Sequence, residues 1–272
     1  MGGFSTLLFF LGFAAVLAGS ASYLAWLVSP LFTCARGLTD TGLVVELPGG
    51  TRRSERARRT GQLFAVAAVI LLGAAILSRM LATHRPPYAN LWEYSMALGF
   101  GTLLLFLVFE RLYGPSGLGV GVLPLVALLF GVAQLAFSSA VEPLVPALQN
   151  NRLLAMHVAC MLTAYSAMSV AFMASLVYLA QQPGRELSWL PARDLAHTVQ
   201  DRAIMLGFPL LGFGIVLGAY WGNIAWGRYW GWDPKETTAL ISWLVYAGYM
   251  HARSLGRWRG DRAALISLTG LA

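Results

Sequence analysis

Charge is what this sequence has least of. Only 11% of its 272 residues are Asp, Glu, Lys or Arg, less than half of the roughly 25% usual in soluble domains. That shortage excludes a water-soluble globular enzyme. With 57% hydrophobic residues it also excludes a disordered or fibrous chain. Lysine is almost missing, since Lys235 is the single one among nineteen basic residues. The net charge of +7 therefore comes from arginines standing between apolar runs, a pattern that membrane topology explains with no nucleic-acid partner. Cysteine is scarce too. Cys34 and Cys160 lie far apart with no C-x-x-C, so neither a disulfide framework nor a dithiol motif is indicated. Internal repeats and low-complexity tracts are absent.

What the sequence does have is long apolar runs. A bilayer-crossing helix needs about 20 apolar residues. Seven runs are long enough: 4–28, 62–81, 92–110, 119–137, 153–180, 203–220 and 237–252. An eighth begins near Ala263 and covers about half of the hydrocarbon core before Ala272, so the sequence as given is expected to end inside that helix. The first run lacks the charged start and short apolar core of a signal peptide and reads as a retained span. The expected architecture is all-α: one polytopic membrane bundle over residues 1–272, with seven full spans and a truncated eighth.

Orientation follows from the basic residues. Fourteen of the nineteen fall in the loops after spans one, three, five and seven; Arg79, Arg85, Arg152, Arg228 and Lys235 fall in the others. The N-terminus and the connection between spans six and seven are therefore expected outside. The most basic stretch, GGTRRSERARRTG at 49–61, reads as a cytoplasmic anchor touching anionic lipid.

Four of the nine tryptophans fall between Trp221 and Trp232, interleaved with Gly222, Gly227 and Gly231. Interfacial tryptophans are ordinary in membrane proteins, but an aromatic belt spreads them over many helix ends. Glycines let a backbone approach a flat surface, rings offer faces, and Arg228 and Lys235 offer cations for carboxylates. The segment reads equally as a belt or as a platform for a flat apolar ligand with anionic edges, and haem with its two propionates fits the second reading. Asp233, Pro234 and Glu236 also spell a helix start: an N-cap, a proline at the first helical position and a possible capping box.

The run Trp226-Gly-Arg-Tyr-Trp230-Gly-Trp232-Asp233-Pro-Lys235-Glu236 resembles the WWD signature of the haem-handling proteins of cytochrome c maturation. The ending Trp-Asp-Pro-Lys-Glu-Thr resembles the CcsA/ResC type of the two-component system II pathway. CcmC and the larger CcmF carry different residues after the Trp-Asp pair. Three further stretches resemble that family: Arg202-Ala-Ile-Met-Leu-Gly-Phe-Pro-Leu-Leu, Tyr249-Met-His251-Ala-Arg253 and His84-Arg-Pro-Pro-Tyr-Ala-Asn90-Leu-Trp-Glu93. The likeness runs from about Ser78 onward and is weak over spans one and four.

Four histidines, His84, His157, His197 and His251, are the candidates for haem iron, which takes imidazole as an axial ligand. By position alone His157 reads as a structural helix-end residue and His251 as an interfacial cap of a helix C-terminus. The resemblance makes His157 the first external iron ligand and His251 a ligand within the membrane, its fellow ligand lying on a partner protein. It also implies a second external histidine, expected beyond Ala272. His84 reads either as a ligand or as part of a rigid turn. His197 reads as part of a solvated face, and Cys160, one turn from His157, as a small buried apolar residue.

The resemblance thus implies an extracytoplasmic haem-binding segment at 221–236. Its candidate contacts are Trp221, Trp226, Arg228, Trp230, Trp232, Asp233 and Lys235, with His157, His251 and His84 beside them. Haem b is the implied substrate. The implied partners are a CcsB/ResB-type membrane protein, an apocytochrome c and membrane lipid. The implied setting is the plasma membrane, or a thylakoid membrane if the protein is of plastid type. The implied activity is movement of haem outward and its presentation to an apocytochrome C-x-x-C-H, as part of a holocytochrome c synthase. This chain has no C-x-x-C-H of its own, and no general acid or base for the thioether step stands out. The rival readings are a non-covalent haem exporter of the CcmC type and a plain transporter with a tryptophan belt. Against the transporter, no two matching halves carry interrupted spans.

Overall fold

A computed structural model describes residues 2–34, 49–114, 116–141, 152–181, 187, 190–254 and 261–271. They form α1 (Gly2–Cys34), α2 (Gly49–Thr83), α3 (Leu91–Tyr113), a short 3-10 turn (Ser116–Leu118), α4 (Gly119–Ala136), α5 (Arg152–Ala180), α6 (Arg193–Trp226), α7 (Pro234–Ser254) and α8 (Asp261–Leu271). There is no strand among the described residues, and the fold is an all-α multi-pass bundle.

The span count differs from the sequence expectation. Among the described residues six helices, α1 to α6, are long and apolar enough to cross a membrane. The 21 residues of α7 reach about 31 Å at 1.5 Å per residue, but Lys235, Glu236, Thr237, Thr238, His251 and Arg253 make it too polar to qualify by composition. It nevertheless runs antiparallel along α6. Trp243 stacks on Phe208 with centroids 5.3 Å apart, and Arg253 Nε donates to Asp201 Oδ2 at 2.9 Å. Two of its tyrosines are taken up inside the bundle: the Tyr249 hydroxyl donates to Asp201, and Tyr246 Oη donates to the Ser267 carbonyl of α8 at 3.3 Å.

Helices also extend past their apolar runs. The basic stretch expected as a loop forms the first turns of α2. Arginine and alanine are strong helix formers, and Arg58 pairs with Glu55 one turn away at 2.9 Å. Arg193 and Arg202 likewise lie in α6.

Small residues set the helix spacing, as in membrane proteins generally. A Cβ on Gly12 would strike Leu72, and Cβ atoms on Gly61 and Gly119 would both strike Tyr23, locking α1 between α2 and α4. Gly99 receives Phe130 and Gly101 receives Ser166, so α3 joins the first four helices to α5. Along α6, Gly207, Gly214 and Gly218 face Met168, Met161 and His157 of α5, one antiparallel seam. Gly121, early in α4, meets Met173, late in α5. The start of α5, the end of α6 and the α2–α3 turn therefore share the opposite end of the bundle.

At that end lies a buried ion cluster. Arg79, expected in a loop between spans, lies in α2 and is 1% exposed. Its Nε donates to Glu93 Oε1 at 2.7 Å, and its Nη2 donates to the carbonyls of Ser139 and Ala140 at 2.9 and 3.1 Å. Arg85 donates to the other Glu93 oxygen at 2.7 Å. Asn90 caps α3 by accepting the Glu93 N–H at 2.8 Å. The Asn90-x-x-Glu93 motif is thus a helix start fused to an inter-helix ion pair.

At the far end, His197 departs from its expected solvated face. Its side chain is 27% exposed and stands 4.0 Å from Asp201, with its ring 5.6 Å from that of Tyr178. Asp201 finds its partners where α6 packs on α7, and His197 faces it there, while Asp194 and Arg202 stay exposed.

Candidate tryptophan and histidine site

The segment 221–236 is not one loop. Trp221 to Trp226 are the last turns of α6, residues 227–233 connect, and Pro234 begins α7. Gly227 ends α6 in the left-handed region, φ 74°, its N–H bound to the Asn223 carbonyl, which is the usual use of glycine after a helix. Trp232 also has positive φ, 57°. For a residue with a Cβ that costs on the order of 1–2 kcal/mol, and the surrounding bonds sustain it.

Those bonds come from the next helix. Asp233 Oδ1 accepts the Glu236 N–H at 2.7 Å. Glu236 Oε2 accepts the N–H of Gly231 at 2.7 Å and that of Asp233 at 3.4 Å. This is the capping box foreseen from the sequence, extended back into the connection. Both carboxylates are engaged by backbone, and their work is to set the angle of the aromatic segment.

The four rings form two edge-to-face pairs. Trp221 and Trp226 have centroids 4.7 Å apart at 75°, and Trp230 and Trp232 5.7 Å apart at 85°. In each pair one ring is turned inward and one outward: Trp226 is 56% exposed and Trp232 70%, while Trp221 is buried. Tyr229 is exposed between them. The indole N–H groups of Trp221 and Trp230 are buried without a hydrogen-bond partner among the described residues. The Arg228 guanidinium lies over Gly231, where a Cβ would come within 2.8 Å of its carbon. Among the described residues neither Arg228 nor Lys235 has an ion-pair partner.

His157 lies in the second turn of α5 at the same end. Its Nδ1 is 2.6 Å from the Gly214 carbonyl of α6. A carbonyl can only accept, so Nδ1 carries the proton and Nε2 keeps its lone pair. The start of α7 lies at the same end, because it follows the end of α6 across residues 227–233. The signal missed in the sequence is Gly214-x-x-x-Gly218, a close-packing pattern on α6.

The other candidates lie apart. His84 is exposed with φ 55° and ends α2 in the left-handed conformation, the rigid-turn reading of that residue. His251 is exposed near the end of α7, at the opposite end of the bundle, between Tyr249 and Arg253, which both turn to Asp201. Cys160 is half-buried. No three His, Cys, Asp or Glu side chains converge as a bare-ion site among the described residues.

The site therefore offers exposed aromatic faces, two unpaired cations and one imidazole with a free nitrogen, a donor set that fits a flat, carboxylate-bearing metal chelate. Comparison with known proteins gives the family. Residues 88–272 match the family described as "Cytochrome C assembly protein". The chain is 34% identical over 253 residues to a cytochrome c biogenesis protein CcsA of Synechococcus sp. (strain RCC307), covering 82% of this chain and 81% of that one. It is 34% identical over 233 residues to a CcsA of Guillardia theta, covering 76% of each. Among solved structures, a cytochrome c heme lyase CcmF superposes with a TM-score of 0.64 at 20% identity. That superposition covers 99% of this chain and 46% of the other, so the chain spans somewhat less than half of that protein and shares its fold. With a family match over its last two-thirds and CcsA relatives alike over most of their length, this chain belongs to the cytochrome c assembly protein family and is of the CcsA type.

Proposed function

We propose that this protein handles haem in cytochrome c maturation, holding it at the outer face for attachment to an apocytochrome. The observation that carries this reading is the pairing of His157 with the aromatic segment at one end of the bundle. Nδ1 is committed to Gly214, and Nε2 is left as a neutral metal donor at the end of the bundle that carries the exposed rings and the unpaired cations. Haem supplies an iron with axial positions for imidazole and two carboxylates for cations. His157 ligates the iron. Trp226, Tyr229 and Trp232 cover the porphyrin, and Arg228 and Lys235 meet its propionates. Trp221 and Trp230 brace the exposed rings, while Asp233 holds the connection through the cap. His251, at the opposite end, holds iron on the cytoplasmic side together with a ligand from a CcsB/ResB-type partner. Apocytochrome thiols then add to the vinyl groups of haem b. The protein's share of that reaction is orientation and exclusion of other geometries. His84 has no role in this reading beyond ending α2.

The test is haem content. Trp230→Ala with Trp232→Ala is expected to lower haem per folded protein, the lost Trp232 face and the lost Trp230 brace each costing on the order of 0.5–1.5 kcal/mol beyond area burial. The absorption spectrum of purified protein measures it, and unchanged haem content in the double variant defeats the platform. Coexpression with the partner and an apocytochrome then separates covalent attachment from export alone.

The reading also requires the aromatic segment to face outward in the plasma or thylakoid membrane, as the basic-residue asymmetry indicates. Cysteine at the exposed Tyr229, with Cys34 and Cys160 replaced, is expected to react with an impermeant thiol reagent in intact cells. Labelling only after lysis inverts the topology.

A further inference from the structure

The seam between α5 and α6 holds one contact that packing alone does not account for. Most of its glycines receive flexible side chains. Gly207 takes Met168 and Gly214 takes Met161, and a thioether can shift to suit its neighbour. Gly218 instead takes the rigid imidazole of His157. A Cβ there would lie 2.6 Å from the ring Cε1 and 2.8 Å from Nδ1. One turn away, the Gly214 carbonyl receives the Nδ1 proton at 2.6 Å. The same two glycines thus supply a slot and an acceptor.

We propose that Gly214-x-x-x-Gly218 is a positioning notch that sets the tautomer and direction of the His157 imidazole, so that Nε2 alone is presented to iron. The inference rests on the proposed role of His157 and adds residues to that site. The physical logic is that of metal-bound histidines generally. The second ring nitrogen is fixed by an outer hydrogen bond, and loss of that partner weakens metal binding by about 10–100-fold. A main-chain carbonyl serves as the partner here, and it is reachable because position 218 has no side chain. Gly218 and Gly214 are positioning residues that act through His157.

Two experiments on the full-length protein test the notch. In the first, Gly218→Ala displaces the ring and is expected to move bound haem towards high spin, with added imidazole restoring the low-spin spectrum. Gly207→Ala is the control. Its Cβ meets Met168 at 2.9 Å, so it disturbs the same seam away from His157 and is expected to leave the spin state unchanged. The second experiment needs no change at either glycine. In His157→Ala, imidazole can enter the vacated slot, ligate iron through one nitrogen and donate to Gly214 from the other. 1-Methylimidazole ligates equally well but carries a methyl where that proton belongs. The expected result is low-spin recovery by imidazole at a concentration about tenfold below that for 1-methylimidazole, the effect of one lost hydrogen bond together with a steric clash. Equal potency of the two, or a Gly218→Ala spectrum identical to wild type, overturns the notch. A His157→Ala spectrum identical to wild type overturns instead the ligand role on which the notch rests.

Discussion

Replacing His157 with Ala is expected to reduce cytochrome c maturation by the full-length protein at least as much as the loss of an outer partner of a metal ligand, ~10–100-fold, and added imidazole is expected to restore it. If His157 holds haem iron as proposed, its loss would leave the iron one imidazole short and shift it towards high spin. The helix itself survives the change. Alanine is a better helix former than histidine, and the lost Nδ1–Gly214 bond is worth only about 1 kcal/mol. Loss of function with little change in melting temperature is therefore the signature of a ligand. A structural histidine behaves otherwise, because imidazole then restores nothing and haem spectra stay as they were. The measurements are maturation with and without imidazole and the ferric absorption spectrum. Normal maturation without imidazole removes His157 from the mechanism.

The second large effect concerns folding. Glu93→Ala is expected to destabilise the protein by roughly 3–5 kcal/mol, the usual cost of stripping one partner from a buried ion pair. Arg79, 1% exposed, keeps its two carbonyl acceptors and its place 5.0 Å from the Trp92 ring centroid, but its charge loses the one carboxylate paired with it among the described residues. The Ala89 N–H, which donates to Glu93 Oε2 at 2.9 Å, loses its acceptor as well. Glu93→Gln keeps an acceptor oxygen and should cost less. Adding Arg79→Met to Glu93→Gln removes the orphaned charge and is expected to recover part of the loss. Thermal melting and membrane yield decide the matter. An Ala variant that melts like wild type contradicts the structural account, and one that melts normally but has lost haem moves Glu93 into the functional site.

The sequence alone determined the membrane class, the helical fold and the aromatic segment. These depend on one-dimensional properties: the length of apolar runs against bilayer thickness, and the clustering of residue types along the chain. The cap formed by Asp233 and Glu236 was legible for the same reason, since its partners are three residues apart. The apolar run at 237–252 read as a seventh span, but the polar residues at both ends of α7 keep it out of the candidate spans among the described residues; Tyr246, Tyr249 and Arg253 find their partners on α6 and α8, which only the packing reveals. Composition likewise misplaced Arg79, whose charge is balanced fourteen residues away. Only the tertiary structure decided that Trp221 and Trp230 turn inward while Trp226 and Trp232 face out, because edge-to-face pairing across a glycine-rich connection leaves no mark on residue order. It alone decided the state of His157. Which ring nitrogen keeps its proton depends on a carbonyl 57 residues away, brought within reach by two glycines that let α5 and α6 close together.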